Sequence, residues 1–385
     1  MSRILFVTFD GGGNQRPALG IAHELATRGH TVAFLGHESQ RSRIEAVGFA
    51  FTSYPSSPAW DGTAALAAAE RRIRLIRNVF LDSHMVTDIL VVLERQPADL
   101  LVVDCLLFSA MIGAERADVP WVTLFHLFYG FLASVEGLLI TPLNQLRAGL
   151  GLPTQASVMD SWADCPLVVV ASLAELDPGS LSAPSNVRFI GPIVSRGHPA
   201  INPPLPWKPG IPDPLVLVSF STVYQEGQAQ ALQRVLDALA SLAIRVLVTT
   251  GPAVDPAALT APVNATILPF FPHAALLPHV SLFVNHAGHT STMESLAHGV
   301  PLLCMPNPGA DQPLVAARVE GSGPGRMISN QAGPEEIRSI ATELLGNPSY
   351  REAAQRLAEM INQQDSAARG AEELEALLSA PAGSQ

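Results

Sequence analysis

Short runs of consecutive apolar residues alternate with segments of helical periodicity along the first half of the chain. The first run, residues 3–9, precedes a segment whose apolar residues recur at the spacing of one helix face. Similar apolar runs occupy residues 31–36, 99–104, 120–125 and 167–172. Such unbroken runs are typical of strands that are buried on both faces of a parallel sheet. The pattern therefore predicts a doubly wound α/β domain.

The alternation lapses in a proline-rich stretch and then begins again. Residues 191–214 are too rich in proline for a helix or a regular strand, so a semi-rigid linker is expected. Beyond it, a helical segment at residues 228–242 and a further one at 350–378 accompany new apolar runs. These runs lie at residues 214–220, 245–251, 281–286 and 301–306. A second doubly wound domain follows from this repeat of the pattern.

We expect four regions from these patterns. A first domain covers residues 1–195, a linker 196–213 and a second domain 214–360. A C-terminal helix and tail, residues 361–385, are expected to pack back towards the N-terminal domain. The two Rossmann-like domains are expected to face each other across a central cleft, because open parallel sheets bind ligands beyond the carboxyl ends of their strands.

Composition narrows the possible classes of function. The chain is 48% hydrophobic, which is typical of an enzyme with large buried sheets. Its net charge of -11 excludes a nucleic-acid partner, because binding a phosphate backbone requires a basic face. Its three cysteines follow no metal-ligand spacing, and the N-terminus lacks a secretory signal, so a cytoplasmic protein is expected. Residues 121–140 have the length of a membrane span, but they contain His126 and Glu136. A strand leading into a helix that lines an apolar pocket is favoured there over a membrane span.

The densest group of candidate binding residues lies at residues 282–319. An apolar strand ends at His286, Gly288 follows, and three hydroxyl residues at 290–292 open a predicted helix with Glu294 in its first turn. A helix start offers unpaired N–H groups and a partial positive charge, and His286 can donate a further hydrogen bond. Together they are suited to holding a diphosphate without a metal ion.

A purely structural alternative exists for part of this motif. Ser291 and Glu294 have the spacing of a capping box, which requires no ligand. Further along, Asp311 and Gln312 stand at another predicted helix start, where an acidic and an amide side chain suit a polyhydroxylated ligand. The surrounding glycines and this pair favour the functional interpretation.

This stretch resembles the donor-binding motif of the UDP-glycosyltransferase superfamily, and in particular that of the bacterial natural-product enzymes of family 1. The matching positions are His286, Gly288, Thr290, Ser291, Thr292, Glu294, residues 299–301, Asp311 and Gln312. The resemblance implies the GT-B fold, with residues 1–195 as the acceptor-binding domain and residues 214–360 as the nucleotide-sugar donor-binding domain. It implies inverting, metal-independent sugar transfer. It also implies a UDP- or dTDP-sugar as co-substrate, so that no cofactor is expected.

The resemblance also implies roles for individual residues. The residues that it assigns to the diphosphate are His286, Gly288, Thr290, Ser291, Thr292 and Thr222 of the loop at 219–222. Glu294 is expected to hold the ribose, and Asp311 with Gln312 the sugar hydroxyls. The segment 268–279 resembles the base-stacking region of the family, which brings Phe270, Phe271 and His273 near the nucleobase.

The sequence departs from the family at three positions near the donor. Ser221 replaces the usual glycine, Thr290 stands where many relatives have Gly or Asn, and His289 stands where an apolar residue is common. The change at Thr290 is expected to alter the phosphate geometry slightly.

The glycine-rich loop after the first strand lacks the usual catalytic base. It is no dinucleotide fingerprint, because Arg16 takes the place of the third glycine. In the resembling family a histidine of this loop deprotonates the acceptor, and its place here falls at Gly12. We expect the loop glycines to leave room for a bulky acceptor ring.

Three residues at strand ends remain as candidates for the base. They are Asp10, Asp104 and His126. Asp104 matches the aspartate that orients the family's histidine, and it could act directly or through water. The structural alternatives are a turn or helix cap for Asp10 and a buried core histidine for His126.

The sequence thus predicts transfer of a hexose or deoxyhexose to an apolar aromatic or macrocyclic acceptor, through oxygen or carbon. Residues 106–113 and 124–139 are rich in Leu and Phe, as an acceptor pocket should be. Two alternatives stay open: a catalytically inactive nucleotide-sugar-binding homologue, and an epimerase that acts on the donor alone. The expected oligomeric state is a monomer or a homodimer.

Overall fold

The computed structural model describes residues 1–163, 165–195, 213–308, 311–363 and 365–379. It divides into two compact units. The first comprises Met1–Gly62, Ala67–Ile193 and the C-terminal residues from Asp365, and the second comprises Thr63–Leu66 and Val194–Gln364. The linker predicted at residues 196–213 lies, except for Asp213, outside the described residues.

A seven-stranded parallel sheet forms the centre of the first unit. Its strands are β1 (Arg3–Val7), β2 (Thr31–Gly36), β3 (Ala50–Ser53), β4 (Leu100–Asp104), β5 (Trp121–Phe125), β6 (Val168–Val170) and β7 (Val187–Phe189). Their spatial order is 3-2-1-4-5-6-7, so the order of connection reverses between β1 and β4. Every residue of β4 and β5 is buried, as their unbroken apolar sequence predicts.

Helices cover both faces of this sheet. They are α1 (Gln15–Thr27), α2 (Arg41–Glu45), α3 (Ala68–Leu75), α4 (Ser83–Arg95), α5 (Phe108–Arg116), α6 (Phe131–Ser134) and α7 (Glu136–Gly149). A π-helical turn, Ile76–Phe80, continues α3. Successive residues of β1 point to opposite faces, so Leu5 and Val7 enter one hydrophobic cluster while Ile4 and Phe6 enter the other.

The apolar stretch at residues 121–140 forms a strand and short helices. It contains β5, then α6, then the beginning of α7. None of the described helices combines the length and the apolar composition needed to cross a bilayer.

A six-stranded parallel sheet forms the centre of the second unit. Its strands are β8 (Leu215–Ser219), β9 (Arg245–Thr249), β10 (Ala265–Leu268), β11 (Val280–Asn285), β12 (Leu302–Cys304) and β13 (Gly325–Met327). Their order is 10-9-8-11-12-13, with the reversal between β8 and β11. The helices of this unit are α8 (Gln228–Leu239), α9 (His273–Leu276), α10 (His289–Ala297), α11 (Gln312–Ser322), α12 (Pro334–Gly346) and α13 (Pro348–Asn362).

The C-terminal segment, predicted as one helical stretch, forms two helices. The first is α13, which packs against α10 within the second unit. The second is α14 (Ser366–Ser379), which packs against α1 within the first unit. Arg28 holds α14 through Glu375, with Nη1 and Oε2 2.8 Å apart, and Gly370 lies against Ile21.

Candidate functional site

Most of the predicted site residues stand at the ends of strands at or next to the point of reversal in each sheet. In the first unit these strands are β1, β4 and β5, and in the second β8, β11 and β12, whereas Phe270, Phe271 and His273 follow the edge strand β10. Neighbouring parallel strands end at the same edge, which brings residues far apart in the sequence together.

Asp104 and His126 are in contact at the edge of the first sheet, where Asp104 is buried and His126 is partly buried. Asp104 is the last residue of β4 and is 5% exposed, while His126 directly follows β5. The Oδ2 atom of Asp104 lies 3.0 Å from Nδ1 of His126. Two of the three candidates for the base are therefore in direct contact.

Asn14 reaches Asp104 from the glycine-rich loop. Its Nδ2 donates to Oδ2 of Asp104 at 3.2 Å and to the carbonyl of Phe9 at 3.1 Å, while its Oδ1 accepts from the backbone N–H of Gly11. The backbone N–H of Leu106 donates to Oδ1 of Asp104 at 3.0 Å. Asn14 was not predicted from the sequence. Its position in the glycine-rich loop was the only indication that it could reach the site.

The charge of Asp104 governs the protonation of His126. Burial alone would lower the pKa of His126, but the Asp104 carboxylate and the neighbouring Cys105 raise it well above its ordinary value. Because Nδ1 faces Asp104, Nε2 is the ring nitrogen that remains for exchanging a proton with a ligand. A histidine oriented by a carboxylate is a common general base.

Cys105 adds a third ligand-type atom to this pair. The candidate ligand atoms of Asp104, Cys105 and His126 all lie within 4.8 Å of one another, close enough for one metal ion. However, burial raises the pKa of the Cys105 thiol, and its Sγ lies 3.8 Å from Nδ1 of His126. A protonated thiol and a carboxylate already engaged in hydrogen bonds oppose metal binding.

Asp10 does not join the pair. Its Oδ1 lies 2.8 Å from Nη2 of Arg43, and its backbone carbonyl accepts a hydrogen bond from Nε1 of Trp60. The side chain is 9% exposed and neutralised by the guanidinium. The structure therefore does not support Asp10 as the catalytic base.

The loop glycines accommodate the protein's own Phe9. A Cβ atom at Gly11 would lie 2.6 Å from Cε2 of Phe9, and Gly12 has a φ of 79°, which favours glycine. The Phe9 ring packs edge-on against Phe80 at 5.6 Å and against His126 at 6.2 Å. Gly11 therefore makes room for Phe9, and the expectation that the loop glycines leave room for an acceptor ring stays a prediction.

A strained turn orients His286 at the end of β11. Ala287 has a φ of 59°, uncommon for a residue with a side chain, and its N–H donates to Oδ1 of Asn285 at 2.8 Å. The imidazole folds over Gly288, where a Cβ atom would lie only 2.6 Å from its Nε2. Burial lowers the pKa of His286 to about 4, and its buried Nδ1 has no hydrogen-bond partner among the described residues.

Helix α10 begins at His289, earlier than the sequence analysis expected. Gly288 is its N-cap, so Glu294 falls in the second turn and the capping box of Ser291 and Glu294 is wrong. The Ser291 hydroxyl donates instead to the carbonyl of Gly288 at 3.0 Å. The N-cap residue, Gly288, has no side chain with which to cap the helix, and the helix start carries the partial positive charge of the dipole.

The hydroxyl residues of α10 differ in burial. Thr290 and Ser291 are partly buried, whereas Thr292 is 0% exposed and lies in the interior. Only the backbone of Thr292 therefore suits the diphosphate role. Thr222, in the loop after β8, is exposed.

Glu294 is engaged within the second unit. It is 2% exposed, and both carboxylate oxygens lie 3.1 Å from the backbone nitrogen of Ser195. The ribose role implied by the resemblance would require Ser195 to give up this contact.

The predicted sugar-binding pair stands at the start of α11. Gln312 is 6% exposed, and its Oε1 accepts from the backbone N–H and from Nδ2 of Asn307 at 2.9 and 3.0 Å. Asp311 is partly buried at the N-cap of the helix. The side-chain oxygen of Gln312 therefore already accepts two hydrogen bonds within the protein.

The segment expected near the nucleobase exposes only one of its two phenylalanines. Phe270 is 73% exposed, whereas Phe271 is 7% exposed. His273 bonds Oγ1 of Thr249 through Nε2 at 2.8 Å and packs edge-on against Phe283. The structure therefore favours Phe270 over Phe271 and His273 for stacking on a base.

Comparison with known proteins places these sites in context. Residues 233–377 match the family model described as "Erythromycin biosynthesis protein CIII-like, C-terminal domain". The chain is 28% identical to 4'-demethylrebeccamycin synthase of Lentzea aerocolonigenes, with 98% of this chain and 100% of the relative covered. It is 26% identical to demethyllactenocin mycarosyltransferase of Streptomyces fradiae, with 98% and 87% covered.

A solved structure shares the fold. The crystal structure of CalG4, the calicheamicin glycosyltransferase, superposes with a TM-score of 0.80 at 24% identity and covers 99% of both chains. At this identity the likeness shows the fold and leaves the substrates open.

Proposed function

Because the chain belongs to the UDP-glycosyltransferase superfamily, and is a glycosyltransferase of GT-B fold like the bacterial natural-product enzymes, we propose the following reaction. The enzyme transfers a sugar from a UDP- or dTDP-sugar to an apolar aromatic or macrocyclic acceptor, with inversion and without a metal ion. The contact of His126 with Asp104 carries the proposal, since it supplies a base where Gly12 lacks one.

The donor diphosphate is bound at the start of α10. Helix N–H groups and their dipole attract the anion, and the neutral His286 donates a hydrogen bond to it. A charge-assisted hydrogen bond of this kind contributes about 1.5–3 kcal/mol. Because these groups offset the charge of the leaving diphosphate, the reaction does not require a cation.

The acceptor is deprotonated by His126. Nε2 takes the proton of the acceptor hydroxyl while its oxygen attacks the anomeric carbon, and the bond from that carbon to the diphosphate breaks. Asp104 holds the Nδ1–H and stabilises the imidazolium that forms. Attack on the face opposite the leaving group inverts the anomeric configuration.

The raised pKa of His126 shapes the preferred acceptor. A more basic imidazole removes a proton more readily, but only the neutral form can act, so activity requires a pH above the raised value. A phenol matches such a base better than an aliphatic alcohol does, because its pKa is near 10.

We also propose a cytoplasmic location, which the three free, buried cysteines support.

Thermal shifts with UDP and dTDP, followed by mass spectrometry of reactions with phenolic and macrocyclic acceptors, test the proposal. We expect His286→Ala to abolish the nucleotide-induced stabilisation, and His298→Ala, at the other end of α10, to retain it. His126→Gln should keep the stabilisation and lose the product, and Asp104→Asn should keep the stabilisation with activity lowered about 10²- to 10⁴-fold. The anomeric proton coupling of the product should show inversion, and EDTA should leave the rate unchanged.

Each contrary outcome has a definite meaning. Nucleotide stabilisation without product for any acceptor would support the inactive homologue. Full turnover by His126→Gln would refute the base, and a rate abolished by EDTA and restored by Mg²⁺ would refute metal independence.

A further inference from the structure

His37 is a buried histidine without a hydrogen-bond partner on its ring. It directly follows β2 and is 3% exposed, and neither ring nitrogen is bonded to any residue in the described part of the chain. Its ring packs edge-on against Tyr54, with centroids 5.1 Å apart. Buried polar atoms are nearly always paired in folded proteins, so an unpaired ring at a strand end calls for a ligand group.

The backbone around His37 is firmly held. Its N–H donates to Oε1 of Gln40 at 2.8 Å, and Nε2 of Gln40 donates to Oγ1 of Thr8 at 3.0 Å. The Tyr54 hydroxyl donates to the carbonyl of Thr8 at 2.9 Å, and a Cβ at Gly36 would lie 2.2 Å from Oε1 of Gln40. The unpaired ring therefore sits in a fixed turn, as a preorganised binding group should.

Asp82 supplies a second buried unpaired atom, and its charge acts on His37. It is 4% exposed; Oδ1 accepts from the backbone N–H of His84 at 3.2 Å and lies 2.8 Å from Nδ1 of His84, whereas Oδ2 has no partner among the described residues. Burial lowers the pKa of His37 to about 4, against the opposing charges of Asp10 and Asp82. At neutral pH the pair therefore offers one N–H donor and two acceptors.

Aromatic contacts connect this pair with the catalytic histidine. Phe80, two residues before Asp82, packs on Phe9, and Phe9 packs on His126. The strands that carry His37 and His126 are separated by β1 and β4, which corresponds to about 14 Å at about 4.8 Å per strand. The edge of the sheet thus presents a polar group at each end with the rings of Phe9 and Phe80 between them, beside the carboxylates of Asp10 and Asp104 at the ends of the two intervening strands.

We propose that His37 and Asp82 form a distal polar subsite of the acceptor site, which binds a hydroxyl or amino group of a multi-ring acceptor. The inference rests on the proposed function, because His126 defines the near end of the acceptor. The two polar groups of the ligand should then lie roughly 9 to 14 Å apart, depending on whether the hydrogen bond of about 2.8 Å at each end runs along the line that joins them or across it. A hydroxyl group fits the subsite because it can accept from the His37 N–H and donate to Oδ2 of Asp82.

Matched pairs of rigid polycyclic phenols test the subsite. The probes are 17β-estradiol and its 17-deoxy analogue, which differ only in the hydroxyl group remote from the phenol. Affinity is measured by calorimetry and turnover by mass spectrometry, in wild type, His37→Leu, Asp82→Asn and the control His84→Ala. The control removes the exposed partner of Oδ1 and leaves Oδ2 in place.

We expect wild type and His84→Ala to bind the diol about tenfold more tightly than the deoxy analogue, as one buried hydrogen bond implies. His37→Leu and Asp82→Asn should lose this preference and bind the deoxy analogue as well as wild type does. Since His37→Leu removes unpaired polar atoms, its unfolding midpoint should be unchanged or higher.

Three results would overturn the subsite. The first is that wild type binds both probes equally or binds neither. The second is that His37→Leu still prefers the diol, and the third is that His37→Leu is markedly less stable than wild type. The last result would mean that the ring nitrogens serve the fold. A failure of the proposed function is distinct, because it would show as lost nucleotide stabilisation or as bound probes that are never glycosylated.

Discussion

The contact of Gly288 with His286 permits a precise perturbation of the donor site. A Cβ atom at Gly288 would lie 2.6 Å from Nε2 and 2.9 Å from Cε1 of His286, whereas ordinary contact begins at 3.4 Å. Gly288→Ala must therefore displace the ring by roughly 0.8 Å. The φ of Gly288 is -61°, which alanine adopts without strain, so the backbone should stay in place.

The cost to nucleotide binding follows from the lost hydrogen bond. A charge-assisted bond from imidazole to phosphate contributes about 1.5–3 kcal/mol, so Gly288→Ala should weaken UDP or dTDP binding by roughly 10- to 100-fold. Calorimetry on wild type and variant measures this change. Gly321→Ala is the matched control, because a Cβ atom there meets nothing within 4 Å.

A double-mutant cycle separates displacement of the ring from direct blocking by the new methyl group. If Gly288→Ala acts through His286, the substitution should have almost no further effect in a His286→Ala background. Additive losses in the double variant would show that the methyl group itself obstructs the diphosphate. Wild-type affinity in Gly288→Ala would refute the role of the imidazole altogether.

Three further substitutions test the first unit. Asp104→Asn removes the charge that raises the pKa of His126, so the remaining activity, about 10²- to 10⁴-fold lower, should have its acid limb shifted to lower pH in kcat/KM profiles. An unmoved limb would contradict the pairing. The pKa of His37 is about 4 in the folded protein and an ordinary 6.5 in the unfolded chain, so the unfolded chain binds the proton first as the pH falls. The free energy of unfolding should therefore drop by about 3 kcal/mol between pH 6.5 and pH 4. Urea unfolding should therefore show a loss about 3 kcal/mol larger in wild type than in His37→Leu, because His286, whose pKa is also lowered to about 4, contributes its own loss to both; equal losses in the two proteins would contradict the prediction. Gly11→Ala should displace Phe9 and raise the acceptor KM several-fold while leaving UDP binding unchanged, and an unaltered KM would show that Phe9 does not contact the acceptor.

The sequence pattern was sufficient to predict the architecture and the pairing of strand ends. Unbroken apolar runs are read directly as buried parallel strands, and the rule that such strands end at one edge brings Asp104 near His126. Gly288 was visible as a position that permits close approach, but the sequence assigned it to the diphosphate, and the structure shows the ring of His286 folded over it.

Features that depend on three-dimensional partners were not predictable from the pattern. The spacing of Ser291 and Glu294 suits a capping box, but the strained turn at Ala287 starts the helix earlier and places Glu294 one turn further on. Burial separates Phe270 from Phe271, although the two are adjacent and chemically identical. The unpaired state of His37 arises from neighbours on other strands, to which its own segment gives no clue.

The position of Asp104 explains how the base can be absent from its usual loop. Asp104 ends a central strand, so it can be approached from β1 on one side and from β5 on the other. From the β1 side the amide of Asn14 donates to its carboxylate, and from the β5 side His126 approaches to 3.0 Å. A carboxylate orients whichever imidazole reaches it, so the chemistry requires the pair and does not require a particular strand. An imidazole on the β1 side and one on the β5 side each lie about one strand spacing, 4.8 Å, from Asp104. The side from which the imidazole approaches therefore determines where the acceptor must present its hydroxyl. The acceptor, and with it the choice of hydroxyl that is glycosylated, is therefore the property that this rearrangement changes most.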